Sequence, residues 1–350
     1  MQKYLEIYEK IKDDIVSGAL RFNDKLPSKR DTAEKFSVSV ITVEHAYELL
    51  ISEGYVESKE RSGYFVSYRK GEFFVAEKFI VPEKAPFTQN ADEGLSFDKL
   101  AKTVRSVLSD YGEELLLRSE NKGAPILRKA IKNYLKRNKG INVDERRIIV
   151  GSGAEYLYGL IIELLGPNKT YALETPTYEQ IEKVYACKKV KTLPLEIGVN
   201  GIPSETLKNA DADALHITPF KNYPTGVYAD VNKKAEYLKW AKDNDAFIIE
   251  DDYDSEFSRT GRISETVFSM DKNDCVIYVN TFSKTIAHSL RVGYMILPDK
   301  LVEDFDKRLG FYTCTVPTLE QFVIARILSD GTFEKHINKI RRQRKLSSQK

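Results

Sequence analysis

The sequence predicts a chain of two folded domains, an N-terminal winged helix-turn-helix and a larger α/β domain with a mostly parallel sheet. Three helical patterns and a β-hairpin pattern fit within the first 70 residues, which describes a winged helix. Between residues 148 and 297, short apolar strands alternate with helices, and this alternation favours a parallel sheet covered by helices. We therefore expect domains over residues 1–70 and 96–350, joined by a linker over residues 71–95.

Composition and charge exclude several classes of protein. The 54 Lys and Arg residues nearly balance the 52 Asp and Glu residues, so net charge indicates no particular partner. Three scattered cysteines (Cys187, Cys275 and Cys314) have neither metal-binding nor disulfide spacing, which predicts no metal site and a reducing cytoplasm. We see no signal peptide and no apolar run of membrane-spanning length, and we expect a cytoplasmic protein with no membrane contact.

The first 70 residues contain the elements of the winged helix in order. Apolar residues recur at helical spacing over residues 3–19, and Gly18 follows the last of them as a stop signal. Ser28 is a predicted N-cap for a second helix over residues 29–36. A third helix is predicted over residues 40–52, and the alternating residues 55–66 then predict a β-hairpin with a charged tip.

In the larger domain, Lys284 lies on a predicted turn between two buried strands, residues 275–279 and 292–297. A lysine held between core elements can be desolvated and its pKa lowered, as an imine-forming amine requires. Two hydroxyls and a guanidinium suited to a phosphate lie nearby in the sequence: Thr281, Ser283 and Arg291. Together they suggest pyridoxal 5′-phosphate (PLP), although a surface lysine and a structural arginine would explain this stretch alone equally well.

Two further segments suit the same cofactor. Asp251 ends a buried strand that begins at Phe247, and a carboxylate there can pair with a protonated pyridine nitrogen. Ser152 and Gly153 form a turn between a strand and a helix that begins at Ala154, and amides at a helix N-terminus bind phosphate. Each signal is weak alone, because acidic clusters and glycine turns usually cap helices.

The stretch 281–294 resembles the PLP-lysine loop of fold-type-I aminotransferases, and four other segments resemble that family in the expected order. The resemblance implies that Lys284 is the catalytic lysine that holds PLP as an imine, and that Asp251 pairs with the pyridine nitrogen. Tyr253 would hydrogen-bond the ring's phenolic oxygen, Tyr178 would stack on the ring, and Asn222 would lie beside it. The implied cofactor-binding set is Ser152, Gly153, Ala154, Tyr178, Asn222, Asp251, Tyr253, Thr281, Ser283, Lys284 and Arg291.

The first domain resembles GntR-type repressors in three motifs, Leu26-Pro27-Ser28-x-Arg30, Val38-Ser39-x-x-Thr42-Val43 and Arg61-x-Gly63. The segment around Tyr47 resembles the MocR branch, which joins such a head to an aminotransferase-like body. The resemblance implies contacts with double-stranded operator DNA through Ser28, Arg30, Ser39, Thr42, Arg61 and Gly63.

The sequence departs from these families in several places. Val40 and Glu44 lie where many GntR proteins have a more basic recognition helix, and residues 1–70 contain 12 basic and 12 acidic residues. DNA binding would therefore require two heads in a dimer. A winged helix that is used only for protein contacts is the alternative interpretation. Arg118 replaces a tyrosine that reaches the partner subunit's phosphate in aminotransferases. The C-terminal small domain with the substrate-carboxylate arginine is absent from this sequence, so it is either a fragment or a shortened relative.

We interpret the chain as a PLP-binding, DNA-binding transcriptional regulator that forms a homodimer. The body would sense PLP itself or a small amine or amino-acid effector, with control of vitamin B6 synthesis as the leading hypothesis. One alternative is an active PLP-dependent aminotransferase with an accessory DNA-binding head, although the missing arginine predicts little or no transaminase turnover. Another is an inactive body that serves only for dimerisation.

Overall fold

The computed structural model describes residues 3–69, 94–257 and 265–347. The chain divides into two units, Met1–Phe87 and Thr88–Lys350, which we call the head and the body. Each unit has its own buried core. The linker predicted over residues 71–95 lies outside the described residues, apart from residues 94 and 95.

The head is a winged helix, as the sequence predicts. Its elements are helices α1 (Lys3–Val16), α2 (Lys29–Phe36) and α3 (Val40–Ser52) and strands β1 (Val56–Lys59) and β2 (Gly63–Val66). The two strands are antiparallel, with Val56 opposite Val66. Helix α1 is shorter than predicted because the chain turns at Gly18, whose φ of +85° favours glycine.

Tyr47 fixes the recognition helix α3 to helix α2. Its side chain is 1% exposed, and its hydroxyl donates a 2.9 Å hydrogen bond to the backbone carbonyl of Pro27. The hydroxyl of Thr32, also buried, lies 2.9 Å from the same phenol oxygen. The residue that suggests the MocR branch therefore contributes a buried polar contact between the two helices of the DNA-binding motif.

The body alternates helices and strands along most of its length. In chain order its elements are α4 (Phe97–Tyr111), α5 (Pro125–Lys139), β3 (Ile148–Gly151), α6 (Ala154–Leu165), β4 (Thr170–Thr175), α7 (Glu179–Cys187), β5 (Lys191–Glu196), α8 (Ser204–Lys208), β6 (Ala214–Ile217), α9 (Val231–Asp243), β7 (Phe247–Asp251), α10 (Val267–Met270), β8 (Val276–Thr281), β9 (Gly293–Ile296), α11 (Asp299–Leu309), α12 (Thr318–Ser329) and α13 (Thr332–Ser347).

Seven strands form one sheet in the order β3-β9-β8-β7-β6-β4-β5. The pairs from β8 to β5 are parallel, and β9 is antiparallel to both of its neighbours. Ile249 of β7 packs into one hydrophobic core, whereas its neighbour Ile248 packs into another. Both faces are thus covered, which explains the nearly continuous apolar strands and confirms the predicted mostly parallel sheet. Within the described residues, no helix has the length and apolar character needed to cross a membrane.

A buried ionic cluster joins helix α5 to the segment after β7. The ammonium of Lys139 lies 2.6 Å from a carboxylate oxygen of Asp252 and 3.0 Å from one of Glu256. The Tyr278 hydroxyl donates a 2.5 Å hydrogen bond to Asp252, and Tyr134 donates a 2.9 Å bond to Glu256. Burial alone would lower the pKa of Lys139, but the two carboxylates outweigh it and raise that pKa, so the lysine is charged.

We expect Lys139→Met to destabilise the body by about 3–5 kcal/mol, because it leaves two buried carboxylates without their cation. Chemical denaturation of the variant measures the loss. Lys136→Met is the matched control, since Lys136 is exposed on the same helix and its removal should change stability by less than about 0.5 kcal/mol. Equal stability of the two variants would contradict a charged, structurally required Lys139.

Candidate functional site

Segments that are distant in sequence meet at one edge of the sheet. Gly151, the last residue of β3, pairs with Gly293 of β9, which in turn pairs with Thr281 at the end of β8. Asp251 ends the next strand and pairs with Val279. Because β9 runs antiparallel, the loop before it lies beside the loops that follow its neighbours. The register alone therefore brings the Gly-Ser-Gly turn, the lysine turn and Arg291 to one place.

A cavity of about 240 Å³ lies at this edge. It is open to the exterior of the body and combines aromatic, acidic and basic side chains. Eight of the residues that the sequence predicts as cofactor-binding line it: Ala154, Tyr178, Asp251, Tyr253, Thr281, Ser283, Lys284 and Arg291.

Asp251 lines the cavity yet is only 5% exposed. One of its carboxylate oxygens, Oδ2, accepts a 2.5 Å hydrogen bond from the hydroxyl of Tyr158. The other oxygen, Oδ1, is buried and has no hydrogen-bond partner among the described residues. Burial raises the pKa of Asp251 to about 7. A cation or a protonated ring nitrogen in the cavity would satisfy Oδ1 and restore the ionised carboxylate.

The described side chains behind Asp251, which include Tyr158 and His216, supply no such cation. Tyr158 packs edge-to-face on the ring of His216, with 4.9 Å between the centroids. The hydroxyl of Tyr185 lies 3.1 Å from Nδ1 of this histidine. Burial lowers the pKa of His216 to about 3, so the ring is neutral at physiological pH. Among these described neighbours no group can supply the positive charge, and the cavity is the side from which a ligand can do so.

The ammonium of Lys284 is bound by a carboxylate. Its nitrogen lies 2.5 Å from Oδ1 of Asp254, a side chain that is itself buried. Lys221 approaches the other oxygen of Asp254 at 3.4 Å. The sequence predicts that Lys284 can be desolvated between core elements, whereas the structure pairs its ammonium with a carboxylate. Asp254 immediately follows Tyr253, in the same acidic segment as Asp251.

The N-terminus of helix α6 forms the second end of the site. Gly153 precedes the helix with a φ of +91°, and a Cβ on it would lie 3.0 Å from a guanidinium nitrogen of Arg291. Only glycine allows both this backbone conformation and this close approach. The guanidinium forms an ion pair with Glu155, in the first turn of the helix. Free backbone N–H groups and Arg291 thus create a site suited to an anion.

The hydroxyls of Thr281 and Ser283 lie at the same end. Thr281 Oγ1 is 3.1 Å from the Ser283 hydroxyl and donates to the backbone carbonyl of Val292 at 3.2 Å. The Ser283 hydroxyl donates to the carbonyl of Leu290 at 3.2 Å. Both hydroxyls thus hold the loop before β9 in place, and either can rotate its proton toward an incoming acceptor.

Three predicted residues are not part of the cavity lining. The hydroxyl of Ser152 donates a 2.7 Å hydrogen bond to Thr315 instead. The amide of Asn222 donates to the buried carboxylate of Glu174 at 3.0 Å, in a polar cluster that reaches the cavity lining through Thr218. Gly153 contributes through its missing side chain, which admits Arg291.

The aromatic residues form a wall of the cavity. Tyr178 is 44% exposed and packs edge-to-face on Tyr223, with 6.1 Å between the centroids. The hydroxyl of Tyr253 donates a 2.8 Å hydrogen bond to the backbone carbonyl of Lys221, and the ammonium of Lys284 lies 5.0 Å from its ring centre. An exposed aromatic at the mouth of a cavity is available to stack on a planar ligand.

Five further residues line the cavity, and the sequence patterns did not identify them as site residues: Glu155, Tyr158, Thr218, Tyr223 and His288. Tyr158 lies four positions after the predicted residue Ala154, and His288 lies four positions after the predicted residue Lys284. On helix α6 this spacing places Tyr158 on the same face as Ala154, so helical periodicity could have identified it. Nothing in the sequence indicates that Glu155 would contact Arg291, because that contact joins α6 to a distant loop.

In the head, the predicted DNA contacts lie around helices α2 and α3 and the hairpin. Arg30 and Arg61 are exposed, whereas the hydroxyls of Ser28 and Ser39 accept hydrogen bonds from the first turns of α2 and α3 and serve as N-caps. The Thr42 hydroxyl lies 2.8 Å from Ser39. Gly63, in the hairpin, has a φ of +106°.

The first turn of the recognition helix α3 has an apolar surface. Val40 is 42% exposed and Ile41 is 64% exposed. The carboxylate of Glu44, one turn later, forms an ion pair with Lys29 of α2. This pairing reduces the repulsion that an acidic residue on this helix would exert on DNA phosphates.

Comparisons with known proteins agree with both halves of the structure. Residues 3–66 match the gntR family of bacterial regulatory proteins, and residues 86–350 match aminotransferase class I and II. Among solved structures, the multiple substrate aminotransferase from Thermococcus profundus has a TM-score of 0.65 and 22% identity, covering 72% of this chain and 65% of its own. The aromatic aminotransferase from Pyrococcus horikoshii OT3 has a TM-score of 0.64 and 24% identity, covering 73% and 71%. These similarities establish the fold of the body.

Three curated relatives align with nearly the whole chain and with about three-quarters of their own length. The uncharacterized HTH-type transcriptional regulator YdeL of Bacillus subtilis is 32% identical over 97% of this chain and 76% of its own. The probable rhizopine catabolism regulatory protein MocR of Rhizobium meliloti is 27% identical over 96% and 74%. The HTH-type pyridoxine biosynthesis transcriptional regulator PdxR of Corynebacterium glutamicum is 25% identical over 96% and 75%.

Each of these relatives carries a regulator's name, and the chain has both parts of the fusion, a gntR-family head and an aminotransferase class I and II body. The chain therefore belongs to the MocR subfamily of GntR-type transcriptional regulators.

Proposed function

We propose that this protein is a transcriptional regulator whose head binds operator DNA and whose body binds PLP through Lys284. The observation that supports PLP binding most strongly is the buried, unpartnered Oδ1 of Asp251, a residue that lines a cavity together with Lys284. A buried carboxylate without a partner is costly, and a ligand with a protonated ring nitrogen removes that cost.

The residues of the cavity fit PLP at each end. Asp251 would pair with the pyridine nitrogen, and Arg291 with the first turn of α6 would hold the phosphate. Tyr178 would lie against the ring, with Tyr253 near its phenolic oxygen. When bound, PLP supplies an aldehyde that condenses with a primary amine and a ring that withdraws electrons. The separation of amine, carboxylate and phosphate-binding groups within one cavity of about 240 Å³ supports this assignment.

We propose that the body forms a homodimer that presents two heads, and that the protein acts in the cytoplasm, where it meets its operator. With 12 basic and 12 acidic residues in positions 1–70, a single head has little general attraction for DNA. Ser28, Arg30, Ser39, Thr42, Arg61 and Gly63 would make the contacts. The relative PdxR is named a regulator of pyridoxine biosynthesis, which supports vitamin B6 synthesis as the controlled process and PLP as the effector. A small amine or amino acid that reacts at the same site is the second candidate effector.

The effector must bind two conformations of the body unequally, since a ligand with equal affinity for both shifts nothing. The direct test is an electrophoretic or fluorescence DNA-binding assay on the upstream region of the protein's own gene, with and without PLP. We expect specific binding whose affinity changes on addition of PLP. The same affinity for that DNA and for random duplex, in both conditions, would contradict the proposal.

We expect Arg30→Ala to weaken specific DNA binding by about 1–3 kcal/mol if the exposed guanidinium reads a base. If it contacts only phosphate, the loss should be uniform across sequences and the salt dependence should become shallower. Lys10→Ala is the control, because it removes one positive charge from the exposed side of α1. A variant at Arg30 that binds as the control does would exclude this residue from the DNA interface.

We expect Asp251→Asn to lower PLP affinity by roughly tenfold to a hundredfold, since the ring nitrogen loses a charged partner.

The same variant should stabilise the ligand-free protein above pH 7. The folded carboxyl has a pKa of about 7 and the unfolded one about 3.9, so the folded state holds an extra proton between these values and stability falls as pH rises through this window.

Thermal melting between pH 4 and pH 8, together with a PLP titration, measures both effects. Asp243→Asn serves as the control, because Asp243 is exposed at the end of α9 and should change neither. Reduced PLP affinity together with an unchanged pH dependence of melting would contradict the assigned environment of Asp251.

The alternative, an active aminotransferase, requires a group that orients the substrate's carboxylate. Among the described residues that line the cavity, Arg291 is the one arginine, and it is already paired with Glu155 at the phosphate end. We therefore expect transamination of alanine, glutamate or aspartate with a 2-oxo acid to proceed more slowly than about 1 per second. A coupled assay for the amino acid product tests this. Turnover at ordinary enzyme rates would contradict this expectation and assign an enzymatic activity to the body.

A further inference from the structure

Both cations of the cavity are engaged by carboxylates of the same chain. Lys284 is bound by Asp254 at 2.5 Å, and Arg291 is bound by Glu155. A cofactor that enters the cavity must therefore displace the chain's own acidic side chains from the groups that it uses. The two pairs lie at the two functional ends of the site, the amine and the anion-binding turn.

We propose that Glu155 is an internal competitor for the phosphate of PLP, and that this competition keeps PLP binding reversible, so that the protein can sense the PLP concentration. The inference rests on the proposed function, because it assumes that PLP binds in this cavity. It assigns to Glu155 the role of setting the affinity, and it distinguishes a sensed ligand from a permanently bound cofactor.

The position of Glu155 supports this role. It lies in the first turn of α6, immediately after Ala154, at the end of the helix where backbone N–H groups lack intrahelical acceptors. An anion bound there would interact with those N–H groups and with Arg291. Glu155 lines the cavity and already occupies the guanidinium. A phosphate and this carboxylate therefore require the same positive groups.

Arg291 can approach the start of α6 closely because residue 153 is a glycine. Gly153 has a φ of +91°, and a Cβ on it would come within 3.0 Å of the guanidinium. The arginine is thus held against the start of the helix, where Glu155 can reach it. Its side chain is 53% exposed and that of Glu155 is 33% exposed, so neither is buried beyond exchange with a ligand. The free energy needed to separate a solvent-exposed ion pair is small.

The charge balance of the cavity leads to the same conclusion. Lys284 and Arg291 supply two positive charges, and their ion-pair partners Asp254 and Glu155 supply two negative charges. A phosphate monoester carries nearly two negative charges at neutral pH. It would enter a cavity without excess positive charge. Replacing Glu155 with a neutral side chain would leave the guanidinium free for the phosphate and remove a like charge next to it.

The experiment titrates PLP and, separately, pyridoxal, which lacks the phosphate, into three proteins: the wild type, Glu155→Gln and Glu163→Gln. The absorbance of the imine that the aldehyde forms with Lys284 reports binding. Glu163 is a matched control on the same helix, because its carboxylate pairs with Lys188 outside this cavity. We expect Glu155→Gln to bind PLP at least about tenfold more tightly than the wild type. Pyridoxal binding should change less than about twofold, and the control should match the wild type for both ligands.

Unchanged or weaker PLP binding by Glu155→Gln would overturn the role of Glu155 while leaving the cofactor site intact. Equal tightening for PLP and pyridoxal would also overturn it, since the effect would not concern the phosphate. Absence of lysine-bound aldehyde in all three proteins would overturn the cofactor site itself, and the inference with it. Glu155→Ala is a second variant in case glutamine disturbs the helix start, and the same tightening is expected.

Discussion

The buried carboxylate of Asp251 is the constraint around which the body's site is arranged. Strand β7 delivers it to the sheet edge, and the tyrosine at position 158 of α6 binds one of its oxygens. The other oxygen has no partner among the described residues, and the histidine behind the tyrosine is neutral. Such an arrangement costs stability unless a positive group arrives from the cavity. A ligand that supplies this positive group would lower that cost, so ligand binding is favoured over an empty cavity.

Sheet topology brings the remaining groups to that carboxylate. The antiparallel strand β9 lies between β3 and β8, so its first residue pairs with the last residues of both neighbours. The Gly-Ser-Gly turn therefore meets the lysine turn and the loop before β9, which both lie more than a hundred residues later in the chain. Lys284 and Arg291 face one cavity because one follows β8 and the other precedes β9. A fully parallel strand in this position would have carried Arg291 to the opposite edge of the sheet.

Much of this organisation could be predicted from sequence, because it depends on local patterns. The bounds of α2 and α3 and the start of α6 match the predicted helices, since caps and apolar periodicity define them. The pairing of side chains could not be predicted in the same way. Ser152 and Asn222 bond Thr315 and Glu174, which lie on other elements.

The ion pairs at Lys284 and Arg291 depend equally on contacts between distant segments. Asp254 and Glu155 each look like ordinary acidic residues near a strand end or a helix start. Only the folded chain shows that they hold the two cations of the cavity. Sequence patterns therefore identify which residues reach the site, whereas the charge state of the site follows from tertiary contacts.

The central claim is that PLP binds covalently to Lys284 in this cavity. The most direct measurement is borohydride reduction of the PLP-loaded protein, followed by peptide mass spectrometry. The account predicts one dominant phosphopyridoxyl adduct, on Lys284. A dominant adduct on another lysine, such as the neighbouring Lys221, or none at all after incubation with PLP, would contradict it.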